Sequence, residues 1–416
     1  MSEVANESAA PSRQMGLDRM TAFAPRMGGD YARLRNFDFG PSDRSNVSML
    51  SPYLRHRLIL EREVVAEALS AHGPEAAEKF IQEVFWRTYW KGWLERHPGV
   101  WAAYLSDLEG VLTTCERDAD LARRLADAEA GKTGLACFDA WARELVETGY
   151  LHNHARMWMA SLWVFTLGLP WQIGADFFLR HLLDGDPASN TLGWRWVSGL
   201  QTPGKTYLAR ADNIAKFTDG RFAPAPADMA DAAPATSVDA RPSISAAPVS
   251  QALQAGPGVG LLICEEDLCP ETLPGVSPDR LDAAAAISAV DYRSPRGVGA
   301  EAMMFTIGAL EECCQRVETG GGPPVKRLNA NQNRAQAIVD WAVAAELQTV
   351  VTAYVPQGPV RAVIEAARPL LQDQGIGLAM ILRDWDARAW QHADRGFFPF
   401  KKNIPTLIGL SGLCGG

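Results

Sequence analysis

Two stretches of the sequence combine a base, carboxylates and an amide at spacings that allow them to meet in a protein core. In YLHNHARMWM, Asn153, Arg156 and Met157 stand at i, i+3 and i+4, so a helix presents all three on one face. Further along, the loop DGDPASN supplies the carboxylates of Asp184 and Asp186. A buried arginine beside a buried aspartate satisfies both groups, because an unpaired charge in a dry interior is too costly to keep. Taken alone, these residues predict a structural ion pair.

Two earlier segments carry groups suited to binding a phosphate and a flat ligand. Ser48 and Ser51 precede a predicted helix, where hydroxyls and unpaired N–H groups can donate to a phosphate, although these residues alone favour a plain helix cap. In EVFWRTYW, Glu83, Trp86 and Arg87 share one helix face. By themselves they predict an amphipathic helix with a salt-bridged face.

Together, the motifs VSMLSPYL, EVFWRTYW, HNHARM, LPW, DGDPASN and WRW closely resemble the flavin-binding core of the cryptochrome/photolyase family. The resemblance extends from about Leu17 to Phe222. It implies FAD as the cofactor, and the FAD-binding residues that it implies are Ser48, Met49, Leu50, Ser51, Arg87, Asn153, Arg156, Asp184, Asp186 and Asn190. The catalytic residues implied are Glu83, Asn190, Trp194 and Trp171. Contacts to a DNA lesion are implied for Glu83, Trp86, Asn153, His154, Met157 and Trp196.

The family resemblance implies a blue-light-dependent lyase that splits cyclobutane pyrimidine dimers in DNA by electron transfer from excited, reduced FAD. Asn190 would lie at the flavin N5, and Glu83 would hydrogen-bond the thymine carbonyls. His154 stands where an arginine is common in the family, which predicts a weaker grip on duplex DNA. Three alternatives remain: a cryptochrome photoreceptor without repair activity, a repair enzyme for single-stranded DNA, and a non-catalytic interaction protein on a flavin scaffold.

The family carries electrons to the flavin through three tryptophans, and this sequence supplies two of them. Trp194 and Trp171 match the inner and middle positions, whereas the outer position is Asp118, which cannot serve. Trp163 or Trp158 would have to complete a different route.

The 416-residue chain has a net charge of −9, which excludes a globally basic nucleic-acid binder and requires any DNA site to be local. The seven cysteines form neither a disulfide framework nor a zinc pattern, so no metal is predicted, and a cytoplasmic protein with reduced thiols is expected. The N-terminus lacks the features of a signal peptide. The apolar run from Met157 to Pro170, about 14 residues, is too short for a membrane span.

The predicted fold is an all-helical FAD-binding domain of the photolyase type followed by a Rossmann-like α/β domain with a parallel sheet. The boundaries are a disordered tail (1–16), the helical domain (17–222), an Ala/Pro/Ser-rich linker (223–257) and the α/β domain (258–416). Strands are predicted at 259–264, 325–329, 349–355 and 377–382, with helices at 333–348 and 358–374 between them. Because GLLICEEDL and DRGFFPFKK resemble the photolyase antenna domain, the domain order implies a circular permutation. A folate or deazaflavin antenna chromophore is a further possibility that the resemblance raises.

Overall fold

The first part of the chain is helical in the computed structural model, which describes residues 10–234, 242–251, 256–277, 280–328 and 333–413. Its α-helices are α1 (Arg13–Phe23), α2 (Gly29–Leu34), α3 (Ser51–Arg55), α4 (Glu61–Ala76), α5 (Glu78–Arg96), α6 (Gly99–Cys115), α7 (Ala119–Glu129), α8 (Ala136–Thr148), α9 (Asn153–Ser161), α10 (Trp171–His181), α11 (Pro187–Val197) and α12 (Ala211–Phe217). A π-helical turn, Leu162–Thr166, follows α9 directly. Helix α4 is broken at Gly73, which has a left-handed φ of 72° and is followed by Pro74.

The second part is a sheet with helices between its strands. Its elements are β1 (Val259–Cys264), β2 (Ala283–Ile287), α13 (Ala300–Thr319), β3 (Val325–Arg327), α14 (Arg334–Ala344), β4 (Thr349–Ala353), α15 (Pro359–Asp373), β5 (Gly377–Ile381), α16 (Asp384–Ala389), α17 (Phe397–Lys401) and α18 (Ile404–Leu410). The five strands pair in the order β3-β2-β1-β4-β5, and every pair is parallel. The predicted fold class is confirmed.

The first helix begins earlier than the sequence predicts. Residues 1–9 of the predicted tail lie outside the described residues, but α1 starts at Arg13, so the tail is too long by four residues. The Ser12 hydroxyl caps α1 by accepting a hydrogen bond from the Met15 amide at 3.2 Å. Arg13 is held by an ion pair to Glu63 at 2.6 Å.

Described residues of the predicted linker lie along the surface of both parts. The Ser245 amide donates to the Arg96 carbonyl at the end of α5, and the Gln251 amide donates to the Met380 carbonyl in β5. The Gln251 side chain in turn accepts from the Met380 amide at 2.7 Å. Gln251 therefore covers part of the exposed edge of β5, which would otherwise present unpaired backbone groups.

Buried ion pairs join the helical part to the carboxyl ends of the strands. Arg55, at the end of α3, makes two bonds of 2.6 and 2.7 Å to Glu266, which follows β1. Arg57 bonds Asp386 of α16 at 2.5 Å. Close packing adds to these contacts, since a Cβ at Gly92 of α5 would lie 2.4 Å from the Trp390 ring. None of the described helices combines the length and apolar character that crossing a membrane requires.

Candidate functional site

The loop between α10 and α11 carries two buried carboxylates, those of Asp184 and Asp186, which are separated in the chain by Gly185. Asp186 is the N-cap of α11, and its Oδ1 accepts hydrogen bonds from the amides of Ala188 and Ser189 at 2.9 and 3.0 Å. Pro187 at the first helical position favours this start, because its ring presets φ and the missing N–H is not needed there. The sequence therefore fixes where α11 begins and where the Asp186 carboxylate lies.

The predicted pair between Arg156 and Asp184 is present. Arg156 Nη2 donates to Asp184 Oδ2 at 3.0 Å, and Arg156 Nε donates to the Leu151 carbonyl at 2.8 Å. The other residues that share this motif lie on α9: Asn153 is its first residue and exposed, and Met157 is half-buried. The His154 ring stacks on Trp158 at a centroid distance of 4.4 Å, and His154 Nδ1 lies 2.8 Å from the Asn36 carbonyl.

A second cluster of charges surrounds the remaining oxygen of Asp186. Arg87 Nη2 lies 3.1 Å and Lys91 Nζ 3.8 Å from Asp186 Oδ2. Burial opposes the charged carboxylate, but Arg87, Lys91 and Arg55 hold the pKa of Asp186 well below its usual range. Burial also lowers the pKa of Lys91, whose side chain is only 2% exposed.

Lys91 is the residue of this site that the sequence reasoning missed. It stands four residues after Arg87 and eight after Glu83, so all three fall on one side of α5. A lysine within the otherwise apolar stretch TYWKGW is the signal that could have identified it, because a buried lysine requires a partner.

The predicted phosphate loop is adjacent to the aspartate loop. Arg55 Nε donates to the Gly185 carbonyl at 2.8 Å, which ties the end of the segment SPYLR to the loop between Asp184 and Asp186. Within the phosphate loop, the Leu50 amide donates to Ser48 Oγ at 3.4 Å, and Ser51 is the first residue of α3. Met49 has a φ of 55°, a left-handed conformation that costs a non-glycine residue about 1 kcal/mol. Such strain is concentrated at functional sites.

The acid and the ring predicted to face a lesion both have protein partners. Arg35 pairs with Glu83, and burial raises the pKa of Glu83 despite this cation. Trp86 stacks face to face on Phe397 of α17, with the ring centroids 3.5 Å apart and the planes 12° apart. Trp196, predicted to contact the same lesion, stacks on Tyr207 at 5.5 Å.

The remaining predicted residues lie on α10 and α11. The Asn190 amide nitrogen donates to the Ala175 carbonyl at 2.7 Å, which orients the amide. The Trp194 ring contacts Trp163 edge to face at 6.1 Å, and Gly174 leaves room for it, since a Cβ there would lie 2.3 Å from the ring. These contacts place Trp163, a candidate for an alternative electron route, next to the predicted inner tryptophan.

The middle and outer positions of the predicted electron chain are Trp171 and Asp118, and only Trp171 has aromatic neighbours among the contacts described below. Trp171 packs against Tyr104 at 5.7 Å, and Tyr104 packs against Trp101 at 5.3 Å. Asp118 is the N-cap of α7 and accepts from the Leu121 amide at 2.9 Å, a structural role for a residue that cannot carry an electron.

Several buried polar atoms around the aspartate loop have no hydrogen-bond partner among the described residues. These atoms are Asp184 Oδ1, Arg87 Nε, Lys91 Nζ and Trp194 Nε1. Each such group costs about 1–3 kcal/mol if it stays unsatisfied. Free donors and an acceptor of these kinds suit a ligand that carries phosphates and a polar ring, so the residues present fit FAD.

The carboxyl ends of the strands do not fit a second chromophore in the described part of the chain. A ligand of such a sheet binds where the strand order reverses, here between β1 and β4. The segment after β1 is filled by Glu265, Glu266 and Asp267, all buried. Arg55 pairs with Glu266, and Arg383 pairs with Asp267 at 2.6 Å. An antenna folate or deazaflavin at this edge would have to displace those pairs.

Comparison with known proteins supports the interpretation of the helical part. Residues 80–221 match the sequence model of the FAD binding domain of DNA photolyase. The deoxyribodipyrimidine photo-lyase of Vibrio cholerae is 31% identical over 194 residues, which are 43% of this chain and 38% of that protein. The protein of the same name from Streptomyces griseus is 34% identical over 179 residues, 40% of this chain and 38% of that protein.

The matches cover only part of these relatives. A crystal structure of a bacterial class III photolyase from Agrobacterium tumefaciens aligns with a TM-score of 0.40 and 25% identity, covering 50% of this chain and 43% of that one. This chain spans about two fifths of the length of these two curated relatives, at 38% of each. Residues 80–221 of its helical part are thus similar to the FAD binding domain of DNA photolyase, a domain whose cofactor is FAD.

Proposed function

We propose that the protein is a blue-light-dependent repair enzyme that splits cyclobutane pyrimidine dimers in DNA. The observation that carries the proposal is that one loop holds two ion pairs, Arg156–Asp184 and Arg87–Asp186, while Asp184 Oδ1 and Arg87 Nε have no hydrogen-bond partner among the described residues. This arrangement joins the motifs of the FAD-binding domain in space, and relatives that share the domain are named deoxyribodipyrimidine photo-lyase.

The residues proposed to hold FAD form two groups, one suited to its phosphates and one suited to its flavin ring. Arg87 and Lys91 offer cations suited to phosphates, together with the hydroxyls of Ser48 and Ser51. The Arg156–Asp184 pair and the Asn190 amide offer polar groups suited to the edge of a flavin ring. When bound and reduced, FAD supplies light-driven electron transfer to the dimer.

The proposed role of Glu83 follows from its environment. A carboxyl whose pKa is raised by burial retains a proton more readily, and a protonated carboxyl can donate a hydrogen bond to a carbonyl that gains charge. Arg35 fixes the position of this carboxyl. Trp86, Asn153, His154, Met157 and Trp196 are proposed to form the rest of the lesion pocket. Flipping a dimer into it is easier than flipping an intact base, because a damaged base stacks poorly.

The alternative is a cryptochrome-type photoreceptor with the same flavin chemistry and no repair. The combination of Glu83 and Trp86 on one face of α5 favours repair, since a photoreceptor has no use for a lesion-facing acid. In this chain the helical part precedes the α/β part. We propose that this order is a circular permutation of the order usual in the family.

The test is an absorption spectrum of the purified protein, followed by blue-light irradiation with a reductant and an oligothymidine that carries dimers. A flavin spectrum with light-dependent recovery of thymine absorbance is expected. Parallel assays on single-stranded and duplex substrates rank the two repair options. A flavin spectrum without repair would favour the photoreceptor, and a protein that binds no flavin would refute the whole assignment.

A further inference from the structure

The segment 394–402, between α16 and α18, lies against the helix that carries Glu83 and Trp86, and we propose that it is a second wall of the DNA site. In this proposal Phe398 stacks on an unpaired base next to the lesion, and Arg395 and Lys402 contact the flanking phosphates. The occupant is single-stranded or locally opened DNA. The inference rests on the proposed function, because it assumes that DNA approaches Trp86.

The segment is anchored on α5 by three kinds of contact. Phe397 stacks on Trp86 at 3.5 Å, and Phe400 packs on Tyr89 at 5.4 Å. The Tyr89 hydroxyl donates to the Arg395 carbonyl at 2.7 Å. Lys401 pairs with Glu78 at 3.2 Å. These contacts position the backbone of the segment, so its outward side chains project from a fixed base before any ligand arrives.

The outward-pointing side chains combine an aromatic ring with cations. Phe398 is 79% exposed, although the two other phenylalanines of the segment are buried. The Arg395 side chain is 78% exposed, and its ion-pair partner Asp394 is 3.9 Å away. Lys402 is exposed as well. Single exposed apolar residues are common, but an exposed phenylalanine on an anchored segment, with a cation on either side in the sequence, is a feature of surfaces that stack nucleic-acid bases and track phosphates.

Charge complementarity favours DNA over a protein or a membrane surface as the occupant. The chain as a whole carries a net charge of −9, so a polyanion is repelled except where cations are concentrated. Arg395 and Lys402 add two positive charges to the same short segment as Phe398. The segment thus offers both elements of single-strand binding, one stacking ring and two phosphate contacts, beside Trp86.

The test measures binding of the FAD-loaded full-length protein to a single-stranded oligothymidine with one dimer, by fluorescence anisotropy at several salt concentrations. Phe398→Ala is expected to weaken binding about tenfold with little change in the salt slope. Phe398→Leu, which keeps apolar surface but removes the ring, is expected to behave like Phe398→Ala. The double variant Arg395→Ala/Lys402→Ala is expected to reduce the slope of log K against log salt by about 1.4, the effect of two single-strand phosphate contacts.

The matched control is Arg117→Ala/Lys326→Ala, which removes the same charge from exposed positions outside the segment. FAD content and thermal unfolding verify that all variants fold. If the wild type binds the oligonucleotide and the segment variants bind as tightly as the control, the inference is refuted and the proposed function stands. If the wild type binds no DNA, both are refuted. Loss of affinity in Phe398→Ala but not in Phe398→Leu would also overturn the stacking role.

Discussion

Replacement of Asp186 separates two functions that its two carboxylate oxygens perform. Oδ1 caps α11 through the amides of Ala188 and Ser189, and Oδ2 faces Arg87 and Lys91. Asp186→Asn retains an oxygen for the cap but removes the negative charge. Asp186→Ala removes both. The difference between the two variants therefore isolates the cap, and the effect of the Asn variant isolates the charge.

The expected magnitudes follow from burial. The side chains of Lys91 and Asp186 are 2% and 1% exposed. Removal of the carboxylate therefore leaves buried cations without this counter-ion. Breaking a buried pair in this way costs about 3–5 kcal/mol. Loss of a helix N-cap adds about 1 kcal/mol. The expected decrease in the free energy of unfolding is about 4 kcal/mol for Asp186→Asn and about 5 kcal/mol for Asp186→Ala.

Urea unfolding monitored by tryptophan fluorescence and circular dichroism measures both values, with the slope m checked for constancy. Asp118 provides the matched control, because it caps α7 at 2.9 Å to the Leu121 amide but is exposed. Asp118→Ala is expected to cost about 1 kcal/mol and Asp118→Asn close to nothing. Adding Lys91→Met to Asp186→Asn should recover about 1–3 kcal/mol. If Asp186→Asn costs as little as Asp118→Asn, the cations are not buried against this carboxylate and the reasoning fails.

Three further predictions concern the acid, the electron route and the pH dependence. Glu83→Gln should reduce repair at least tenfold at unchanged FAD content, measured on a dimer-containing oligothymidine; loss of FAD instead would make Glu83 structural. Trp194→Phe should slow photoreduction in a flash-absorption experiment without loss of FAD, whereas unchanged kinetics would exclude Trp194 from the route. Burial lowers the pKa of His152 to about 4, and its Nδ1 must stay unprotonated to accept from the His154 amide at 3.1 Å. Because the folded-state pKa lies below the unfolded value, stability is present above pH 6.5 and lost as the pH falls towards 4, by up to about 3 kcal/mol. His152→Asn keeps a cap acceptor and should flatten this part of the pH profile, and an unchanged profile would contradict the assignment.

The sequence predicted four of the five strands in the described sheet but not β2, and it did not predict the long helix α13. The strands at 259–264, 325–329, 349–355 and 377–382 were predicted from apolar runs and appear as β1, β3, β4 and β5, with Asn329 outside the described residues. β2 is AAAAI, in which Ile287 is the only β-branched residue, so its composition does not indicate a strand. It forms because it pairs on both sides, with β1 and β3. Helix α13 follows a loop rich in glycine and proline that obscured its start.

At the candidate site, the motifs predicted one contact between residues distant in the chain but not the others. The Arg156–Asp184 pair was predicted because motif context linked the two residues. The neighbour of Trp86 was not, since Phe397 lies more than three hundred residues further along the chain and its type alone indicates only burial.

The contact between the two parts of the chain shows why such long-range pairs escape a sequence-based argument. Arg55, His56 and Arg57 meet Glu265, Glu266 and Asp267, two complementary triplets from opposite halves of the protein. Each triplet by itself predicts a solvated turn, because charged residues are mostly exposed. Together they are buried, and Arg55 also binds the Gly185 carbonyl between Asp184 and Asp186. The α/β part thus contacts the proposed flavin site through Arg55, among other residues. Because Arg55 bonds both Glu266 and the Gly185 carbonyl, it links the first strand's end to the aspartate loop, which gives the second part of the chain a structural role in the site even without a chromophore of its own.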